Sequence, residues 1–452
     1  MFKKKQRKVK RYRNIYRGSL TSSPFFKLGV SAAVLAALIA AGWFLYEPVY
    51  QFVMSLGQEK EPTSSSEPAA DPGPGLSEAL PGFLEEEETD TSQSQSEPEA
   101  AAPVNGVYMP EFILLDSAQR AAFIQSCSAN GINAIFFDLK NDKGVLTYRS
   151  SLGQVAELGS QGTSAVDLAQ VTNEMKVAGI TPVGRIYAFK DPLAASVHLE
   201  SAVHYQGTEW AWLDNSAAMG GKAWLNPVNE YAKSYISDLA AESVGKGVER
   251  VILDCVQFPS GYSLEMADYG QPLTEESKST VLSDFIVQVD RRVREAEGEA
   301  AVYLSVPALL GASDGQYGAD PFQLTSCGVV LGAMPASFGN AYSSGELVLE
   351  APALDPSTTV RAALSVCQDK LRTDEVTVLL QSYTSGVLSS LKNKTYTRED
   401  IRAQIQAAQE SGCESYFLFS PLLLKNSKYR AARSSPGGFL LCFFSVEKSE
   451  FL

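Results

Sequence analysis

From Val104 onward, short runs rich in β-branched and aromatic residues alternate with runs whose apolar residues recur at three- and four-residue spacing. That alternation admits few folds, because it describes parallel strands joined by crossover helices. Eight strands are expected, at Gly106–Met109, Ala134–Leu139, Thr181–Ala188, Arg250–Val256, Ala301–Val306, Val329–Met334, Val376–Leu380 and Tyr416–Phe419. Helices are expected at Ser117–Asn130, Val166–Ala178, Asn229–Val244, Glu275–Glu297, Ser357–Leu371 and Arg398–Ser411, with Gly131, Gly179, Gly245 and Gly412 as stops. Eight such strands predict an α/β fold closed as a (β/α)8 TIM barrel over residues 104–425, in preference to an open doubly wound sheet. No GxGxxG or GxxxxGK[ST] follows the first strand, so no nucleotide cofactor is expected.

Chemistry in such a barrel collects at the C-terminal ends of the strands. There the sequence places Glu111 after the first strand, Asp138 and Lys140 on the second, Arg185, Lys190 and Asp191 on and after the third, and Asp254 and Gln257 on and after the fourth. Asp254 is the one charge in the apolar run VILDCVQFP, where burial would raise its pKa and aim it at a substrate. Asp138 has the same placement, but Lys140 lies two residues on and points to the same side of a regular strand. Asp138 is therefore either a second reacting carboxylate or the ion-pair partner of Lys140. Arg185 reads as a counter-ion to Asp138 or Asp254. Trp210, Trp212 and Trp224 crowd the segment after the third strand, with Trp224 the expected sugar-stacking platform and the core as the alternative place for all three. Asn226 is either a substrate contact or a helix cap.

Six cysteines and two histidines show no CxxC pairing or metal-ligand spacing, so neither a metal nor any other cofactor is expected. The cysteines read as small buried hydrophobes, a disulfide between two of them being the alternative.

The first seventeen residues hold nine cations and no acid, and Leu28–Tyr46 carries no charge. A helix of about nineteen such residues crosses a bilayer, and preceding Lys and Arg keep the N-terminus cytoplasmic. We therefore expect a basic cytoplasmic tail over 1–27, a transmembrane helix over 28–46 and the remainder outside the cell membrane. A cleaved signal peptide is the alternative, but its apolar core spans only ~7–15 residues. Residues 57–103, rich in Glu, Ser, Pro and Ala, should form a disordered acidic linker. The end, 426–452, has no clear amphipathic helix. A net charge of −14 excludes nucleic acid as a natural partner of the body.

The stretches NAIFFDLKNDKGVLTY (133–148), GITPVGRIYAFKDPLAA (179–195), AWLNPVNEYAKSYISDLAAE (223–242) and VERVILDCVQFPSG (248–261) resemble the family described as putative glycosyl hydrolase domains. These are TIM-barrel proteins of bacterial envelopes, distantly related to the α-amylase-like hydrolases. The resemblance implies polysaccharide or cell-wall glycan as partner and Asp254 as the leading catalytic residue. It sets Asp138, Lys140, Arg185, Lys190, Asp191, Trp224 and Asn226 at matching motif positions around it. Where the family reads Asp-Tyr-x-Arg-Phe-Pro, this chain reads Asp254-Cys255-Val256-Gln257-Phe258-Pro259.

Two functions follow as expectations. One is a membrane-anchored glycoside hydrolase using Asp254 with Asp138, and with Glu111, Lys140, Arg185, Lys190, Asp191, Trp224, Asn226 and Gln257 as substrate contacts. The other is a degenerate barrel that binds envelope glycan or a partner protein without turnover. It is motivated by strand ends five to eight, which offer Ser305, Ser337, Gln381 and Ser420 but no acid. A partner carboxylate for Asp254 must then come from Asp138, Asp191, Glu111, Glu265 or Asp268.

Overall fold

The computed structural model describes residues 102–312, 315–325, 327–385 and 394–421. The expected cytoplasmic tail, the apolar segment 28–46, the linker as far as residue 101 and the end 426–452 lie outside the described residues. Among the described residues no helix is long and apolar enough to cross a membrane.

Eight parallel strands form the barrel: β1 (Asn105–Tyr108), β2 (Ala134–Lys140), β3 (Thr181–Tyr187), β4 (Arg250–Asp254), β5 (Glu299–Ser305), β6 (Gly328–Gly332), β7 (Val376–Gln381) and β8 (Tyr416–Phe419). Closure is direct, since Val107 of β1 pairs with Ile135 of β2 on one side and Leu418 of β8 on the other. Around it run α1 (Ser117–Ala129), α2 (Leu168–Val177), α3 (Glu230–Gly245), α4 (Glu275–Glu295), α5 (Pro356–Cys367) and α6 (Arg398–Glu410). Their starts are set chemically: Asp116, Asp167, Asn229 and Asp355 accept from first-turn amides, and Thr274 and Thr397 form capping boxes. Val166, expected to open a helix, instead ends a short strand paired with Tyr148. The left-handed stop expected at Gly245 falls at Gly247, with φ +95°, while Gly245 is the last residue of α3.

Two apolar layers result from the period-two alternation of each strand. Outward residues such as Ile135, Phe137, Leu253, Val302 and Leu380 pack against Phe123, Leu239, Phe285 and Leu364 of the helices. Inward, every strand contributes to one compact cluster of Tyr108, Ala134, Phe136, Val183, Ile252, Ala301, Val330, Leu379 and Phe417. Gly106 is part of this filling, because a Cβ there would lie 2.1 Å from the Phe417 ring. Gly106→Ala is expected to destabilise the barrel by about 1–3 kcal/mol through overpacking, measured by urea unfolding; an unchanged midpoint would show that Phe417 moves aside freely.

The five described cysteines are unpaired, and Cys127, Cys327, Cys367 and Cys413 are buried.

Candidate active site

One period above the apolar filling, the same strands present a different layer: Asp138 on β2, Arg185 on β3, Asp254 on β4, Tyr303 on β5, Gly332 on β6, Gln381 on β7 and Phe419 on β8. Gly332 leaves room for its neighbour, a Cβ there meeting the Tyr303 hydroxyl at 2.5 Å.

Arg185 joins the acids. Its Nε donates to Asp138 Oδ1 at 2.6 Å, and its Nη1 reaches Asp254 Oδ2 at 3.5 Å. The guanidinium carbon lies within 6 Å of the Tyr108, Phe136, Tyr187 and Phe419 rings, the shortest being 4.8 Å to Tyr187. Asp138 is fully engaged, its Oδ2 accepting from the Tyr108 hydroxyl at 2.7 Å. Asp254 is held more loosely: Oδ1 accepts the Cys255 amide at 2.7 Å, while Arg185 reaches Oδ2 only at 3.5 Å. Cys255 takes a left-handed φ of 54°, unusual for a residue with a side chain, and this turns its N–H onto the carboxylate beside it.

Asp254 is 6% exposed, and burial raises its pKa, with the negative Asp138 adding to the rise; Arg185 and hydrogen bonds from Cys255 act in the other direction. Burial also holds the phenols of Tyr108, Tyr187, Tyr303 and Tyr317 well above their ordinary value, so all four are neutral. Cys255 is pushed up by burial against the pull of Lys190, which makes it a thiol and not a thiolate nucleophile. The arrangement thus sets a buried acid with a raised pKa, Asp254, beside an acid that already has two firm partners.

Other expected site residues fall in several places. Glu111 starts a helical turn after β1 and accepts from Asn141 at 3.3 Å. Gln257 accepts from the Tyr317 hydroxyl at 3.0 Å, and Lys190 lies 4.0 Å from Asp142. Lys140 does not pair with Asp138. The β2–β3 register shifts between Asp138 and Lys140, so Lys140 pairs with Ile186 and turns outward to Asp191 at 2.6 Å. Both side chains are 0% exposed. Asp191 also caps the following helical turn through Ala194, so neither is placed to meet a substrate.

Trp224 is not an open platform. It is 4% exposed, within the core, and its indole donates to Asp214 at 3.1 Å. Trp212 is buried likewise, donating to the Ser263 carbonyl at 3.0 Å, whereas Trp210 is 76% exposed. Asn226 folds its side chain onto the Val228 amide and the Tyr269 carbonyl; Asn229 is the helix cap.

Sequence reasoning missed Tyr108, Tyr187, Cys255, Tyr303 and Tyr317. For the strand tyrosines the signal was present, since Tyr303 follows inward Ala301 by two and Tyr108 follows Gly106 by two. Among the described residues no group of three or more His, Cys, Asp or Glu is gathered to hold a metal ion.

The family described as "Putative glycosyl hydrolase domain" matches residues 106–424, the whole barrel. The chain belongs to this family. No curated protein matches it. Among solved structures, the PgaB (BpsB) glycoside hydrolase domain from Bordetella bronchiseptica shares 14% identity, with 73% of this chain and 97% of that one covered and a TM-score of 0.52. At that identity the likeness concerns the fold. A hypothetical protein from Ruminiclostridium thermocellum shares 22% identity over 43% of this chain and 96% of its own, with a TM-score of 0.37. A chitobiase from Flavobacterium johnsoniae shares 10% identity over 77% of this chain and 49% of its own, with a TM-score of 0.46. This glycosyl hydrolase domain is a closed eight-stranded parallel barrel.

Proposed function

We propose that the protein is a membrane-anchored glycoside hydrolase acting on cell-wall or extracellular polysaccharide, with Asp254 as general acid and Asp138 as the second carboxylate. One observation carries the reading: two acids from β2 and β4 meet a single guanidinium at the C-terminal end of the barrel, and burial raises the pKa of Asp254. Glycosidic cleavage needs such an asymmetric pair, one carboxyl to protonate the leaving oxygen and another to act on the opposite face of the sugar. Arg185 fixes both in orientation, and the aromatic rings around it exclude water and offer faces to a sugar. The test is release of new reducing ends from a panel of wall and extracellular glycans by the purified protein, absent in Asp254→Asn. Retained release by that variant removes Asp254 from the chemistry.

A second reading, glycan or protein binding without turnover, draws on the same guanidinium, which contacts both acids, and on the acid-free ends of β5 to β8. It predicts retention by insoluble glycan with no new reducing ends.

Anchoring rests on the nine cations before the uncharged stretch 28–46. The full chain is expected in the membrane fraction after alkaline carbonate extraction, and a version starting at residue 47 in the supernatant; a soluble full chain ends the anchoring proposal.

A further inference from the structure

The segment between β3 and α3 and the segment between β4 and α4 build a small structure of their own above the barrel rim. His204–Tyr205 pairs antiparallel with Ala267–Asp268, and His204 also bridges Ala211. The register sets Trp210, Tyr205 and Ala267 side by side in one row, with the Tyr205 amide donating to the Trp210 carbonyl at 2.9 Å. Cross-strand partners in a sheet project to the same face. Of that row the indole is 76% exposed, although it is among the largest apolar side chains in the protein. The neighbouring Tyr262 and Met266 are exposed too.

Ala267 belongs at the same time to a cleft of about 550 Å³, within the range of ligand pockets. Its lining includes Gln206, Glu265, Asp268, Tyr269 and Gln271, whose amide, carboxyl and phenol groups are of the kind that hydrogen-bond hydroxyls. The cation in the lining, Lys278, is held by Glu275 at 2.8 Å and by the Gly315 carbonyl. That leaves the acids Glu265 and Asp268 in the lining, with Ala267 joining the cleft to the row that carries the exposed Trp210. The combination suits a sugar chain, whose C–H faces stack on an indole while its hydroxyls meet amides and carboxylates, and it repels an anionic polymer. The cleft is also close to the reacting layer: Phe258 follows Asp254 by four residues, at most about 14 Å of extended chain, and its ring packs edge-on against Tyr269 at 5.1 Å.

We propose that this row and cleft form a second glycan-binding site, selective for uncharged polysaccharide, that holds a chain whose continuation reaches Asp254. The proposal takes its ligand class from the hydrolase reading above. Its test therefore separates binding from turnover by using Asp254→Asn protein throughout. Retention is measured on insoluble cellulose and chitin, with alginate gel as the anionic comparison. Retention by at least one uncharged polymer is expected, falling about tenfold in Trp210→Ala and also in Gln271→Ala, with melting temperatures unchanged. Val287→Ser, an exposed apolar position on α4, is expected to leave retention as it was. Undiminished retention in Trp210→Ala, or retention by alginate alone, overturns the proposal. So does the absence of retention by either uncharged polymer, which assigns the exposed row to a protein partner. None of these results depends on whether Asp254 cleaves; failure of the hydrolase reading appears separately, as no reducing ends released from any glycan by the unsubstituted protein.

Discussion

Replacing Lys140 with alanine is expected to destabilise the barrel by about 3–5 kcal/mol, the loss typical when one partner of a buried ion pair is removed. The ammonium lies 2.6 Å from Asp191 and 5.7 Å from the centre of the Tyr235 ring, with neither charged side chain exposed. Alanine would leave the Asp191 carboxylate in a site with no cation and no access to water. Nor does the carboxylate have room to move, since it packs where a Cβ on Gly144 would lie 2.0 Å away and its Oδ1 accepts the Ala194 amide at 2.8 Å. The double variant Lys140→Met with Asp191→Asn removes both charges and keeps the cap, so most of the stability should return. Urea unfolding of both variants checks this. A loss under about 1 kcal/mol for Lys140→Ala, the scale of an exposed pair, would mean that solvent reaches Asp191 after all.

That pair also shows where the sequence stops being informative. The eight barrel strands could be located because strands covered on both faces read as continuous apolar runs, and all eight lie within two residues of their expected limits. Asp138, Arg185 and Asp254 stood out for the same reason, as charges at the ends of such runs. Lys140 looked equivalent, but one irregularity in pairing between β2 and β3 reverses its side, and nothing in LKND announces it. Trp224 was misplaced because its burial depends on Asp214 and on loop segments distant in sequence, so composition alone could not separate it from Trp210. Tyr317 reaches Gln257 from sixty residues away, a contact that only the closed ring creates.

Asp254→Asn is expected to lower glycan hydrolysis by about 10²–10⁴-fold, the usual contribution of a general acid, while making the protein more stable at neutral pH. The two effects have one cause. Burial raises the pKa of Asp254 in the folded state above its unfolded value, near 3.9 for an ordinary aspartate. The folded state therefore favours the protonated acid: its contribution to stability is fully present below the unfolded pKa and is lost as pH rises through the folded one. Asparagine resembles the protonated form at every pH, and its single oxygen can still accept the Cys255 amide, the NH2 replacing the oxygen that faces Arg185 only at 3.5 Å. Variant and parent should thus unfold alike in acid, below the unfolded pKa, and diverge as pH rises, the variant melting higher. Melting curves taken from pH 4 to 8 give the sign. If Asp254 were merely a counter-ion for Arg185, its folded pKa would be depressed and the difference would run the other way, with the variant losing stability as pH rises. On the proposed reading, an acid kept where burial favours its protonated form is placed to give a proton to a glycosidic oxygen.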